Sequence, residues 1–187
     1  MEGKPKVIVI GLDGGTWDLI KPWAEEGKLP TFKKLMNEGT WGVLESLEPP
    51  ISSASWTTIT TGVNPGKHGI FDFSMRRDDG YDIRPLSSRD VKYKRVWDLL
   101  GGEGKKVAVL NVPMTYPPKK VNGVMISGFP CPEEKNDFTY PKSLLEELRK
   151  EIDKDIHFQP RISPHQEREF FYEMLQITEY LEATVLY

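Results

Sequence analysis

The sequence predicts an α/β layered fold with a largely parallel sheet, on three observations. Strand-like segments alternate with helix-like ones along the chain. Two of the strand-like runs, Val7 to Leu12 and Lys106 to Val112, are largely β-branched and aliphatic with no polar alternation, as in strands buried on both faces. The first ends in Asp13-Gly14-Gly15 and passes into a helix, the strand, turn and helix order at which open α/β sheets bind ligands.

Composition sets the outer bounds. A chain of 187 residues, 38% hydrophobic and 28% charged, can bury one sizeable core, so a single domain over residues 1–187 is expected. A net charge of −3, with Lys and Arg interspersed among Asp and Glu, gives no basic face and argues against a nucleic acid polymer as partner. The one cysteine, Cys131, has no internal disulfide partner, which favours a reducing compartment. Its flanking Pro130 and Pro132 offer nothing to lower a thiol pKa, so it reads as a buried or semi-exposed thiol. The apolar run after Lys6 is too short for a secretory segment or a membrane span. The expectation is a soluble cytoplasmic protein with no membrane partner.

In chain order, Thr16 caps a helix from Trp17 to Glu25, kinked or restarted at Pro22 and stopped by Gly27. Pro30 opens a second helix, Thr31 to Glu38, with Phe32, Leu35 and Met36 on one face and Gly39 at its end. Thr40 to Leu47 alternates loosely and reads as a second strand, ended by Pro49-Pro50. A short helix then runs from Ser52 or Ser53 to Thr61 and is closed by Gly62. Val63 to Gly69 is a turn-rich loop, and Arg76 to Gly80 reads as an exposed hairpin tip. Lys94 to Leu100 is a short helix released by Gly101-Gly102. Strands follow at Lys106 to Val112 and Val121 to Ser127, then a proline-punctuated loop to Asp137. Two helices close the chain. One runs from Pro141 to about Ile152. The other follows Ser163-Pro164, a good cap with proline at the first turn, and carries Phe170, Phe171, Met174, Ile177, Leu181 and Val185 as a stripe.

Three positions could carry chemistry. Asp13, at the carboxyl end of the first strand, presents oxygen donors suited to hard cations such as Mg²⁺ or Mn²⁺ and also to Zn²⁺. It reads equally as a turn residue bonding its own backbone ahead of Gly14 and Gly15. Ser52 or Ser53 stands at a helix N-terminus, where free N–H groups and the helix dipole favour an ionised hydroxyl or a phosphate oxygen; serine is also a preferred cap for structural reasons alone. His68, in a turn, reads on its own as a hydrogen-bonding structural residue.

The combination is more specific than its parts. Strand-Asp-Gly, then Pro49-Pro50-Ile51-Ser52 through Trp56-Thr57 to Thr61-Gly62, then Asn64-Pro65-Gly66-Lys67-His68-Gly69-Ile70, resembles the N-terminal part of the alkaline phosphatase superfamily. Within it, the pattern is most similar to the prokaryotic type I phosphodiesterase and nucleotide pyrophosphatase branch. The resemblance is densest from Val7 to Phe73.

It implies an alkaline phosphatase-like three-layer αβα fold, incomplete at the C-terminus. By the same resemblance, Asp13 matches a metal-binding aspartate and Ser52 the nucleophile, itself also a metal ligand, with Ser53 as the fallback. Gly14, His68 and Gly69 are supporting residues, His68 not a ligand. The implied substrate is a small-molecule phosphate or sulfate ester, with divalent metal ions, Zn or Mn, as cofactors. The implied reaction is hydrolysis through a phospho-seryl intermediate. The superfamily leaves two alternatives: a phosphoglycerate-mutase-like isomerase or phosphotransferase, and a non-catalytic remnant or binding module.

Two departures stand against the pattern. Phe73 occupies the place where nucleotide pyrophosphatases carry a phosphate-holding Asn. The family's later ligands, a second Asp with a His four residues on, an Asp-His pair and a further His, are not found. The only histidines are His68, His157 and His165, and the spacing of Asp153 and His157 is read as chance. The chain is therefore expected to be the N-terminal portion of a longer enzyme, to bind metal weakly by itself, and to form a homodimer or take up a complementary C-terminal chain.

Overall fold

The protein is seen in a computed structural model that describes residues 6–77, 80–132, 135–151 and 165–186. It is mixed α/β and divides into two compact units, Met1–Ser46 and Leu47–Tyr187.

In the first unit, helix α1 (Trp17–Glu25) begins at Thr16, whose Oγ1 accepts the Asp18 N–H at 3.3 Å. It runs through Pro22 as one helix. Gly27, with φ +81°, follows its end, and α2 (Pro30–Glu38) starts on a proline that needs no N–H partner there. Phe32 and Met36 are half-buried, whereas Leu35, expected on the same face, is exposed. Trp17 anchors the return of the chain: its indole N–H donates to the Gly42 carbonyl at 3.0 Å, and its ring lies 4.9 Å from that of Trp41.

The two strands expected in this unit are not formed. Val7 to Leu12 has no ladder partner among the described residues, and its side chains are exposed, from 85% at Val7 to 79% at Ile10. Thr40 to Leu47 is likewise without a ladder, with Val43 and Leu44 exposed. The physical reason is that a strand's backbone is satisfied only by a neighbour. An apolar run supplies a motive for burial but not the partner.

The second unit opens with α3 (Ser52–Thr61) and the single turn α4 (Pro65–His68). Strands β1 (Ser74–Arg76) and β2 (Ile83–Pro85) form the expected hairpin, with Arg76 Nε donating to the Gly80 carbonyl across its tip. Helix α5 (Val96–Gly102) starts later than expected and includes both glycines thought to release it. The positive-φ residue lies further on, at Gly104, φ +72°.

The main sheet has the order β3 (Val107–Val112), β4 (Gly123–Ser127), β5 (Thr139–Tyr140). The β3–β4 ladder is parallel, pairing Val109 with Met125, and β4–β5 is antiparallel. The sheet described is thus mixed, not largely parallel. After Leu110 the register shifts at Asn111, where φ is 51°, and Gly128 lies so close that a Cβ there would fall 2.5 Å from the Asn111 carbonyl.

Helix α6 (Ser143–Glu151) packs Leu144, Leu145 and Leu148 with Ile126, Phe138 and Cys131, so the thiol is a core residue. Leu181 of α7 (Glu167–Leu186) joins this cluster. The buried stripe of α7 follows Ile177, Leu181 and Thr184, while Phe171, Met174 and Val185 of the expected stripe are exposed. Ser163-Pro164 and the Asp153 and His157 pair lie outside the described residues. Among the described residues no helix is long and apolar enough to cross a membrane.

Candidate functional site

Helix α3 is built for an open N-terminus. Pro49 and Pro50 lie before the helix, and Ile51 serves as N-cap with extended backbone and no side-chain hydrogen bond. The first intrahelical bond is from the Ser55 N–H to the Ile51 carbonyl at 2.9 Å. The N-cap residue thus supplies no capping side chain at the positive end of the helix dipole. Serine does not act as the cap, contrary to the structural role it could have filled.

The two serines differ sharply. Ser52 is half-buried on the first helical residue, whereas Ser53 is fully buried and its hydroxyl has no hydrogen-bond partner among the described residues. A hydroxyl that attacks an ester has to reach it, and Ser52 is the more accessible of the two. Further along, the hydroxyls turn inward on the helix itself: Thr57 donates to the Ser53 carbonyl at 2.7 Å, Thr60 to Trp56 at 2.8 Å and Thr61 to Thr57 at 2.7 Å.

His68 locks the turn after this helix. Its Nδ1 accepts the Ile70 N–H at 3.1 Å, so the neutral ring carries its proton on Nε2 and donates to Thr58 Oγ1 at 2.9 Å. Burial, and then the nearby Arg95 charge, push its pKa below the usual value. Both ring nitrogens are thus spent on the protein, which is a supporting role. Gly69 caps α4 at φ +81°, a conformation that suits glycine.

Sequence reading missed Arg95. It is only 4% exposed, donating from Nη1 to Thr60 Oγ1 at 3.1 Å and from Nη2 to the Met114 carbonyl at 2.6 Å. The guanidinium lies 5.3 Å from the Trp97 ring centre. Burial lowers its pKa to about 10, against the pull of Asp98, so it stays charged at neutral pH. Its one local signal is Asp98 three residues on, whose Oδ2 accepts the Arg95 N–H at 2.9 Å as a cap of α5.

Asp13 belongs to the other unit. It lies exposed in a turn in which the Gly15 N–H approaches the Leu12 carbonyl at 3.4 Å and Gly14 takes φ +66°. That is turn geometry with glycine at its third position.

A family model described as type I phosphodiesterase / nucleotide pyrophosphatase matches residues 7–179. The chain belongs to that family. No match to it is found among curated proteins or among solved structures. The chemistry of this family is phosphoric ester hydrolysis. Among the described residues of this phosphodiesterase-family chain, no group of three or more His, Cys, Asp and Glu side chains could hold a metal ion. Phe73 is an apolar packing residue, edge-on to Phe129 at 5.1 Å and set against the Ile70, Leu86, Val91 and Met114 cluster.

Proposed function

We propose that the protein is a cytoplasmic, metal-dependent phosphoric ester hydrolase that cleaves a small-molecule phosphodiester through a phospho-seryl intermediate on Ser52. The observation that carries this reading is the half-buried Ser52 on the first residue of a helix whose N-cap, Ile51, offers no capping side chain. There the backbone donors and the dipole favour a phosphate oxygen and the ionised serine alike.

In the first step Ser52 Oγ attacks phosphorus, the Oγ–P bond forms as the P–O bond to the leaving group breaks, and the leaving oxygen departs as an alcohol or alkoxide. Water then attacks the phospho-serine and returns the free hydroxyl. The first-turn amides donate to the non-bridging oxygens in both steps. By the family resemblance Asp13 would offer a carboxylate to a divalent ion, a hard oxygen donor of the kind that Zn²⁺ and Mn²⁺ accept. A divalent ion, when bound, stabilises charge on the phosphate oxygens and makes the serine a stronger nucleophile.

Turnover of an aryl phosphodiester with Zn²⁺ or Mn²⁺, compared between wild type and Ser52→Ala, tests this. The expected loss in the variant is at least about 10³-fold. Turnover that survives in Ser52→Ala, or its absence from the wild type with both ions, overturns the reading. Phosphoryl movement between positions of a phosphoglycerate without release of phosphate would replace it with the isomerase alternative.

A further inference from the structure

We infer that Arg95 is a positioning residue for the Ser52 nucleophile, clamping helix α3 to the carboxyl end of β3; this rests on the reading of Ser52 as the nucleophile. The case begins with what α3 lacks. Its buried residues are Ser53, Ala54, Thr57 and Thr60, all small, and among the described residues none of its side chains belongs to the three apolar clusters of the unit. Small side chains bury little area and leave a helix free to slide or rotate on its support. Directed hydrogen bonds fix both distance and angle, and α3 is held by bonds from His68 to Thr58 and from Arg95 to Thr60.

Arg95 links α3 to the sheet. Its second arm ends on the carbonyl of Met114, just past β3, and Met114 is itself fixed: its side chain is buried beside Ile70, Leu86 and Val91, and its N–H donates to the Phe129 carbonyl at 2.8 Å. The backbone N–H of Arg95 is held in turn by the Asp98 carboxylate, and its guanidinium lies over the Trp97 ring. A planar guanidinium can serve both acceptors at once, which a lysine ammonium on its flexible stem does less well.

The lever is long. From Thr60 to Ser52 the helix axis runs about 12 Å at about 1.5 Å per residue, so a small rotation at the clamped end moves the serine by a comparable or larger displacement. A misplacement of about 1 Å at a reacting atom costs about 100-fold in rate.

The experiment uses Arg95→Lys, Thr60→Val and the double variant of the full chain. Thr60→Val removes one acceptor with little change of shape, so it answers the question even if the arginine variant folds poorly. With the aryl phosphodiester, each single variant is expected to lose about 10- to 100-fold in kcat with KM within about threefold, and the double to be no worse than the worse single. Amide hydrogen exchange provides a readout independent of turnover: the Thr58–Gly62 amides are expected to lose protection by about tenfold while Val109 and Met125 do not. A lower melting temperature with unchanged kcat, additive losses in the double, or exchange that rises equally in α3 and the sheet would overturn the clamp. A wild type without turnover would overturn the function proposed for Ser52 and leave exchange to decide Arg95.

Discussion

The α3 segment and the Val7–Leu12 run invert the usual relation between composition and burial. SSASWTTITT is largely hydroxyl-bearing and has four buried residues, whereas the aliphatic run has Val7 to Ile10 in the open. What separates them is where each segment's backbone bonds go. A helix satisfies its own amides and carbonyls, and the threonines of α3 fold their hydroxyls back on it, so its polar composition is no barrier to burial. A strand depends on another strand for every ladder bond. Burial is decided first by whether polar groups find partners, and only then by how apolar the side chains are.

The largest effect that would break this comparison is at His68. If directed bonds hold the α3–α4 segment, His68→Ala should cost about 3 kcal/mol, through a cavity and an unpaired Ile70 N–H, and lower the urea midpoint accordingly. The wild type should also lose stability in acid in a way the variant does not. The folded pKa lies below the ordinary 6.5, so the unfolded chain takes up the proton first as pH falls. The contribution is fully present above about pH 6.5 and is lost as pH falls through the lowered value of the folded state. Equal pH dependence in both proteins would show that His68 does not carry it.

A smaller effect sharpens the contrast at two glycines. Gly62 has φ +70° and Gly14 has φ +66°, and a Cβ at either meets nothing within 4 Å, so alanine is opposed by backbone conformation alone. At Gly62, which caps a buried helix, Gly62→Ala should cost about 1 kcal/mol. At Gly14 the turn can relax, and Gly14→Ala should cost less than about 0.5 kcal/mol in the same denaturation measurement. Equal costs would mean that the Asp13 turn is held as firmly as the helix cap.

Features written in neighbouring residues were legible in advance. Thr16 as a cap, Pro30 as a helix opener, the double proline before α3, Gly62 after it and the β1–β2 hairpin all act over a few residues. What depended on distant partners was not. Nothing near Val7 tells whether a strand will pair with it, and Thr139–Tyr140 is too short to announce β5. Ser52, Asp13, Gly14, His68 and Gly69 were named from sequence as candidates, and the different burial of Ser52 and Ser53 was not legible there. The partner of His68, ten residues back at Thr58, and the Arg95 link to Thr60 and Met114 were invisible, because one arginine among 25 basic residues carries no mark of what it will touch.

The smallest expected effects come as a mirrored pair, Ser53→Ala and Val9→Thr. Ser53 holds a buried hydroxyl without a partner, so removing it deletes a desolvated polar group and should leave stability unchanged or raise it by up to about 1 kcal/mol, with turnover retained. Val9, 84% exposed, exchanges a methyl group for a hydroxyl that water can solvate, and the change should stay within about 0.5 kcal/mol. A polar residue that is dispensable where buried and an apolar one that is dispensable where exposed would place the difference between these segments in backbone pairing. A Val9→Thr loss well beyond 0.5 kcal/mol in thermal unfolding would mean that the run is packed after all, as its aliphatic sequence leads one to expect.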